Sequence, residues 1–401
     1  MNKISIIVST FNTYNYTKKC YESIRQNLWN EHEVVIVDDG STDDTRDWLK
    51  TLKDDNLKIV LNDKNYGIAY SYNKGVDNSS NEIVYVVHTD MIFPKDHDKI
   101  MLEEFKNYDF LTSFRVEPPI YPTSRDKLQK DFGEKLSEFK EQEFYVFAKQ
   151  YHNDNKDVDK GFQRSCFPWM TTRTTYNRVN GNDELFLKAM VDDDDSYLRV
   201  AKAGFKYWQT HKTAVYHFCS RTTKYKGDNI SIEGTPEWNN QHTRSIRNFI
   251  RKWGSGNQKA YNPDFSMNIN LKKYDIGFVV KNCDVNMLYH IEPWCSNIYT
   301  DTKAPEIYIQ KTQKNTMYDV TQRVLPYDNE KQNGILVSFD GSQLNNENFK
   351  IITQLPDIIK DSGAAGEFEL GIFKITIINM EPVDEEQLIS GGFRNTNGYE
   401  N

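Results

Sequence analysis

Apolar and polar positions over the first 90 residues fall into alternating strand-like and helix-like blocks. Ile4 to Val8 is a run rich in β-branched residues, Glu33 to Val37 is a second, and a helix-compatible stretch from about Tyr16 to Asn27 separates them. Strands that are apolar on both faces and joined through a helix predict a parallel sheet covered on both sides. The right-handed crossover rule then brings the carboxyl ends of the two strands to one edge of that sheet. A third strand follows at Leu57 to Leu61, then a helix carrying Asn73 and Gly75, then a fourth strand at Glu82 to Val87.

The loops leaving these strands are polar: Ser9-Thr10-Phe11-Asn12, Asp38-Asp39-Gly40-Ser41-Thr42-Asp43, Asn65-Tyr66-Gly67 and His88-Thr89-Asp90. Open α/β sheets bind ligands beyond the carboxyl ends of their strands, so these loops are expected to face one crevice. Asp-Gly-Ser is also ordinary turn chemistry, which leaves Asp38 and Asp39 two readings.

Downstream the pattern changes. The segment Phe105 to Asp159 is rich in Lys, Glu, Phe and Tyr and lacks long β-branched runs, which predicts helices or a lid. Asp192 to Asp195 are four adjacent carboxylates, followed at helical spacing by Tyr197, Leu198, Val200, Ala201 and Phe205, with Gly204 as a stop. Adjacent carboxylates repel by roughly 1 kcal/mol per close pair even in water, so a cationic group is expected beside them. A helix N-terminus favours the same charge, and a solvent-exposed acidic cap is the alternative reading.

Ala214 to Phe218 reads as a short apolar strand with one imidazole, His217, and Arg244, Arg247, Arg251 and Lys252 share a half-buried surface helix with Ile246, Phe249, Ile250 and Trp253. Gly254-Ser255-Gly256-Asn257 reads as a linker, dividing a domain of residues 1–255 from one of residues 256–401. Strands are expected in the second part at 275–280, 306–309, 335–339 and 368–378, and fraying from Gly391 onward.

A chain of 401 residues suits two domains, and a net charge of −8 argues against a general nucleic-acid coat. The N-terminus turns polar too soon for a signal peptide, and no apolar run approaches the roughly 20 residues of a membrane span. The five cysteines form no CxxC pair, so neither a zinc cage nor a disulfide framework is suggested. The expectation is a soluble, cytoplasmic protein of a bacterium or a phage-infected cell, in keeping with abundant Asn, Lys, Ile and Tyr.

Taken in order, the four loops, Val179-Asn180-Gly181-Asn182-Asp183-Glu184, and Asp192 to Arg199 followed by Gly204-Phe205 resemble inverting glycosyltransferases of family 2, over roughly residues 1 to 220. The resemblance implies a GT-A fold, an α/β architecture with a Rossmann-like, mostly parallel central sheet and flanking helices, here joined to a smaller β-rich or mixed C-terminal domain. It implies a nucleoside-diphosphate sugar donor, most simply a UDP-sugar, bound by Ser9, Thr10, Phe11, Asn12, Asp39, Asn65, Gly67, Asn73, His88 and Thr89. It gives Asp90 the role of ligand to Mn2+ or Mg2+, with His217 beside it; His88 departs from the family pattern by standing where a first aspartate often lies. Asp193 inherits the role of catalytic base, Asp192 and Trp169 acceptor contacts, and Arg221 and Lys224 neutralisation of the diphosphate.

The acceptor implied is a glycan, a protein or a modified DNA base, the last drawing on the basic helix and on Trp169. A non-catalytic carbohydrate-binding protein of the same fold is the rival from another class. A nucleotidyltransferase is disfavoured, because residues 9–15 hold no Gly-rich phosphate loop.

Overall fold

The computed structural model describes every residue except 1, 159, 165, 187, 189, 222, 227–229, 364 and 397–401. The first part of the chain alternates as β1 (Ser5–Thr10), α1 (Tyr14–Asn27), β2 (Glu33–Asp38), α2 (Thr45–Thr51), β3 (Leu57–Leu61), α3 (Ile68–Asp77) and β4 (Ile83–His88). These strands run parallel in the order β3-β2-β1-β4. Ile6, Ile7, Val34 and Val35 are completely buried, as expected of strands covered on both faces. Helix α3 lies close against β1 because Gly75 has no side chain: a Cβ there would stand 2.4 Å from Ile7 Cγ2.

The chain continues through β5 (Met91–Ile92), α4 (His97–Phe105), β6 (Phe110–Glu117), β7 (Lys127–Gln129), α5 (Glu141–Asn155), β8 (Trp169–Thr172), α6 (Arg173–Arg178), α7 (Asp192–Lys202) and β9 (Tyr207–His217). The completed nine-stranded sheet has the order β3-β2-β1-β4-β8-β6-β9-β5, with β7 against β6. Here the structure departs from the expectation of helices or a lid between 105 and 159. Phe110–Glu117 is a central strand, whose buried Leu111, Phe114 and Val116 are interrupted by Thr112, Ser113 and Arg115. A hairpin of β10 (Tyr225–Lys226) and β11 (Ile230–Ser231) then leads to α8 (Pro236–Trp253), capped by the Thr235 side chain at the Trp238 amide.

Beyond α8 come β12 (Ile276–Lys281), α9 (Val285–Ile291), β13 (Asn297–Thr300), α10 (Pro305–Gln313), β14 (Val324–Pro326), β15 (Ile335–Asp340), α11 (Asn346–Ser362), β16 (Gly366–Leu370), β17 (Phe373–Ile377) and α12 (Glu385–Ser390). The strands form a second sheet of order β14-β13-β12-β15-β17-β16, parallel through β15 and antiparallel after it. The region is therefore mixed α/β. Residues 306–309, expected as a strand, lie in α10, where Pro305 sets the first turn and Tyr308 faces inward. The expected strand over 368–378 is a hairpin that turns at Gly371.

Two further expectations are corrected, the linker at 254–257 and the fraying from Gly391 onward, of which residues 397–401 lie outside the described residues. The stretch 254–257 is a packed turn: Gly254 closes α8 in the left-handed region with its amide on the Ile250 carbonyl, and Ser255 is buried. Ala260, Met267, Leu271, Leu388 and Ile389 then join the core of the first sheet. Residues 391–396 are docked, as the amides of Asn395 and Thr396 donate to the Glu184 carboxylate at 2.8 and 2.9 Å and Phe393 N donates to Asp183 at 3.0 Å. The two parts of the chain also meet at Glu292, fully buried, which accepts from Arg251 and from Tyr308 Oη at 2.8 Å and pairs with Arg323.

Candidate functional site

At the carboxyl edge of the parallel strands lies a cavity of about 830 Å³. The end of β1 and the loop after it line it with Ser9, Phe11 and Asn12, the loop after β2 with Asp39, the turn before α3 with Asn65 and Gly67, and the end of β4 and the residue after it with His88 and Thr89. Phe11 is half-buried and outside the hydrophobic cores, a ring available as a wall. The two aspartates at the end of β2 divide their work. Asp38, the last residue of the strand, pairs with Arg46 at 2.6 Å, whereas Asp39 Oδ1 accepts from Asn62 Nδ2 and Tyr66 N at 2.9 and 3.0 Å and Oδ2 from Gly67 N at 2.8 Å. Burial lifts the Asp39 carboxyl above its usual range despite these donors. Gly40 (φ 79°) brings this turn against residues 64 and 65, where a Cβ would stand 2.5 Å from the Lys64 carbonyl carbon.

Two residues expected to touch the donor do not line the cavity. Thr10 is buried, with its hydroxyl 2.7 Å from that of Thr17. Asn73 is fully buried: it donates to the Asn182 carbonyl and Glu184 at 2.9 and 3.0 Å and accepts from Tyr176 Oη at 2.6 Å. It thereby fixes the turn before α7. Sequence reasoning also missed lining residues: Tyr72 on α3, Lys188, and a roof of Thr223, Tyr225, Ile232 and Trp238. Tyr72 follows Ile68 by one helical turn, which was a usable signal; the roof reaches the cavity only through tertiary packing.

A metal-type cluster borders the same cavity. One ligand atom each from His88, Asp90 and His217 lie within 4.8 Å of one another. Asp90 Oδ1 is 3.4 Å from His217 Nε2, and Asp90 Oδ2 accepts the Arg221 amide at 3.1 Å. Among the described residues His217 Nε2 is a buried nitrogen without a hydrogen-bond partner, aimed at this cluster. Burial pushes the His88 imidazole down to about 3, leaving it a neutral donor. Burial alone would raise Asp90, but His217 and His88 hold it well below the carboxylate range. Two imidazole nitrogens and a carboxylate fit a borderline divalent cation such as Mn2+ better than Mg2+, which prefers oxygen. His217 Nδ1 in turn lies 3.0 Å from Glu117 Oε1.

Three of the four carboxylates at the start of α7 have distinct fates. Asp195 is fully buried and accepts from Arg199 at 2.7 Å, Lys252 at 2.7 Å and Trp253 Nε1 at 2.9 Å, so it anchors the helix. Asp194 accepts from Asn257 at 2.8 Å and from the Tyr261 hydroxyl, and burial, then Asp193, push it up to about 7. Asp193 is half-buried, its Oδ1 accepting the neighbouring Asp194 amide at 2.9 Å, and burial raises its carboxyl as well. Its field and those of Asp90 and Asp192 act together on the hydroxyl of Tyr72, which ties the helix to the cavity. Lys188, Met190 and Val191 all take positive φ immediately before α7, strained backbone for residues with side chains.

Three further expectations are corrected. Trp169 is 2% exposed, packed against Phe110 and Tyr176, and cannot stack on an acceptor. Arg221 is buried over the Tyr225 ring with a bond to the Glu134 carbonyl, and only its amide reaches the metal cluster, through Asp90. Lys224 Nζ pairs with Glu233 at 2.7 Å and does not line the cavity.

A mostly parallel α/β sheet with a cavity and a carboxylate–histidine cluster at its carboxyl edge puts a candidate ligand site where open α/β sheets bind their ligands. Residues 5–171 match the family model of glycosyl transferase family 2. Similar proteins include glycosyltransferase GlyA of Streptococcus pneumoniae, 30% identical over 108 residues (27% of this chain, 16% of that protein). Another is the teichoic acid poly(glycerol phosphate) polymerase of Staphylococcus epidermidis, 31% identical over 126 residues (30% of this chain, 18% of that protein). The matched stretch thus spans less than a fifth of either relative. Among solved structures, GalNAc-T7 with UDP, GalNAc and Mn2+ has a TM-score of 0.45 at 10% identity, over 65% of this chain and 49% of that one. S. aureus TarS 1-349 with UDP has a TM-score of 0.41 at 17% identity, over 62% and 65%.

Proposed function

We propose that the chain is an inverting glycosyltransferase that moves a sugar from a nucleoside-diphosphate sugar, most simply a UDP-sugar, to a hydroxyl acceptor. One observation carries the reading: Asp39 and His88 line one cavity, His88 shares a metal-type cluster with Asp90 and His217, and the charge of Asp193 acts on Tyr72 of the cavity wall. Phe11 offers an apolar wall for the base, and Asp39 shapes the loop at 65–67 beneath it. His88, Asp90 and His217 would hold the cation, Mn2+ by their chemistry, which when bound neutralises charge on the leaving diphosphate. Asp193, with its carboxyl raised toward working pH by burial, removes the proton of the acceptor hydroxyl as that oxygen attacks the anomeric carbon. Asp192 beside it contributes to the acceptor side.

The division at residues 255 and 256 belongs to this proposal, the second part bracing the transferase domain through α8 and the 383–396 return. The cytoplasm is the proposed location; no described helix is long and apolar enough to cross a membrane. Of the acceptors, a glycan or protein is favoured over a DNA base. Both features that would suit DNA are taken up inside the protein, since Trp169 is core and Arg247, Arg251 and Lys252 are buried in ion pairs.

The test is release of UDP from a panel of UDP-sugars with Mn2+. Turnover abolished by Asp90→Ala and by Asp193→Asn supports the reading. Absence of release or transfer with every donor would favour the carbohydrate-binding rival.

A further inference from the structure

Glu117 is a buried carboxylate that neither the family resemblance nor the reaction described above uses. It is 3% exposed at the end of β6, and its neighbour across the sheet is His217. Strands β6 and β9 run parallel, with Ser113 opposite Thr210 but Phe114 opposite Ala214, so an irregularity inserts three residues into β9. Carried on at the first register, Glu117 would face Ala214; after the shift Val116 faces Tyr216 and Glu117 comes beside His217. The bulge therefore has a definite product, the 3.0 Å contact between Glu117 Oε1 and His217 Nδ1.

A carboxylate can only accept in this contact, so Nδ1 carries the hydrogen. In a neutral ring the lone pair then belongs to Nε2, the atom left without a partner and aimed at Asp90 and His88. Glu117 itself is held by Lys127 Nζ at 2.8 Å and by Arg115 Nε at 3.4 Å. A cation bound directly by Glu117 would meet those two positive charges, which makes a ligand role unfavourable and an orienting role favourable. Cys219 Sγ, 3.7 Å from the same Nδ1, is the weaker competing acceptor.

We propose that Glu117 is a positioning residue of the metal centre, fixing the tautomer and angle of the His217 ring so that Nε2 faces a divalent cation. The proposal rests on the metal reading of His88, Asp90 and His217. Orienting partners of this kind change metal affinity by about 10- to 100-fold when removed.

The experiment is Mn2+ titration of the full chain, without donor, followed by the EPR signal of free Mn2+, for wild type, Asp90→Ala, Glu117→Gln and Cys219→Ser. The expected result is binding by wild type, loss in Asp90→Ala, affinity weakened about 10- to 100-fold in a Glu117→Gln chain that still folds, and near wild-type affinity in Cys219→Ser. Wild-type affinity in Glu117→Gln, with Asp90→Ala still defective, would overturn the role of Glu117 and leave the metal centre standing. No Mn2+ binding by wild type would overturn both. Should Glu117→Gln fail to fold, 15N-histidine spectra of the Cd2+-loaded wild type decide: the remaining ring proton of His217 is expected on Nδ1, and a proton on Nε2 would refute the proposal.

Discussion

Replacing Asp193 by Asn should separate activity from stability, because the same carboxylate is both the proposed base and a source of repulsion. Asn keeps the shape and an oxygen to accept the Asp194 amide, now at 2.9 Å, so the start of α7 is preserved. It cannot take a proton from the acceptor, and loss of a general base lowers kcat by about 10²- to 10⁴-fold. Stability should move the other way. Asp193 is among the causes that raise the carboxyls of Asp192 and Asp194.

The sign follows from Asp194, whose carboxyl is pushed up to about 7 in the folded chain. A carboxyl raised on folding favours the folded state below its unfolded value, near 4, and that advantage is lost as pH rises through about 7. Above about pH 7 Asp194 carries its charge beside Asp193, and removing that neighbouring charge should stabilise the fold by about 1 to 4 kcal/mol, the range for a pair 4 Å apart between bulk water and an effective dielectric of 20. Urea unfolding of both proteins at pH 5 and pH 8, beside initial rates, checks this. The gain is expected at pH 8 and should shrink at pH 5. Unchanged turnover would remove Asp193 as the base, and a loss of stability at pH 8 would refute the account of the cluster.

Three other outcomes follow from the packing. Lys252→Met strips Asp183 and Asp195 of a shared buried cation and should cost about 3 to 5 kcal/mol in urea unfolding; a change near zero would mean the pairs are not formed. Trp169→Phe should destabilise the fold by about 1 to 3 kcal/mol while leaving the acceptor KM unchanged, and a selective rise in that KM would return Trp169 to the acceptor site. Ending the chain at Ser390 deprives the buried Glu184 carboxylate of three donors from Asn395 and Thr396, and should lower stability by about 1 to 3 kcal/mol. Unaltered unfolding would make the tail a passive passenger.

The parts legible in the sequence were those where local pattern and tertiary environment agree. Strands β1, β2 and β4 are apolar on both faces because both faces are buried, whereas β3 is a largely exposed edge strand, and the polar exits therefore stand out as one edge. The carboxylate helix showed its length and its stop at Gly204, but its four aspartates looked alike. Only the placement of Arg199, Lys252 and Trp253 around Asp195 separates an anchor from a candidate base. Strand β6 was hidden because Thr112, Ser113 and Arg115 break its apolar run, and with it Glu117 was hidden too. Ile307, Tyr308 and Ile309 favour a strand intrinsically, yet Pro305 at the first turn and the burial of Tyr308 make that segment helical. Trp169 could be read either as stacking platform or as core, a choice that neighbours settle and composition does not.

The account turns on a shared centre for donor, cation and base, and crystals grown with UDP and Mn2+ test it most directly. An anomalous Mn2+ peak ligated by His88, Asp90 and His217, with the nucleotide along Phe11 and Asp39 and Asp193 facing the open side of the diphosphate, is the predicted result. A cation bound away from Asp90, or a nucleotide outside this cavity, would contradict it.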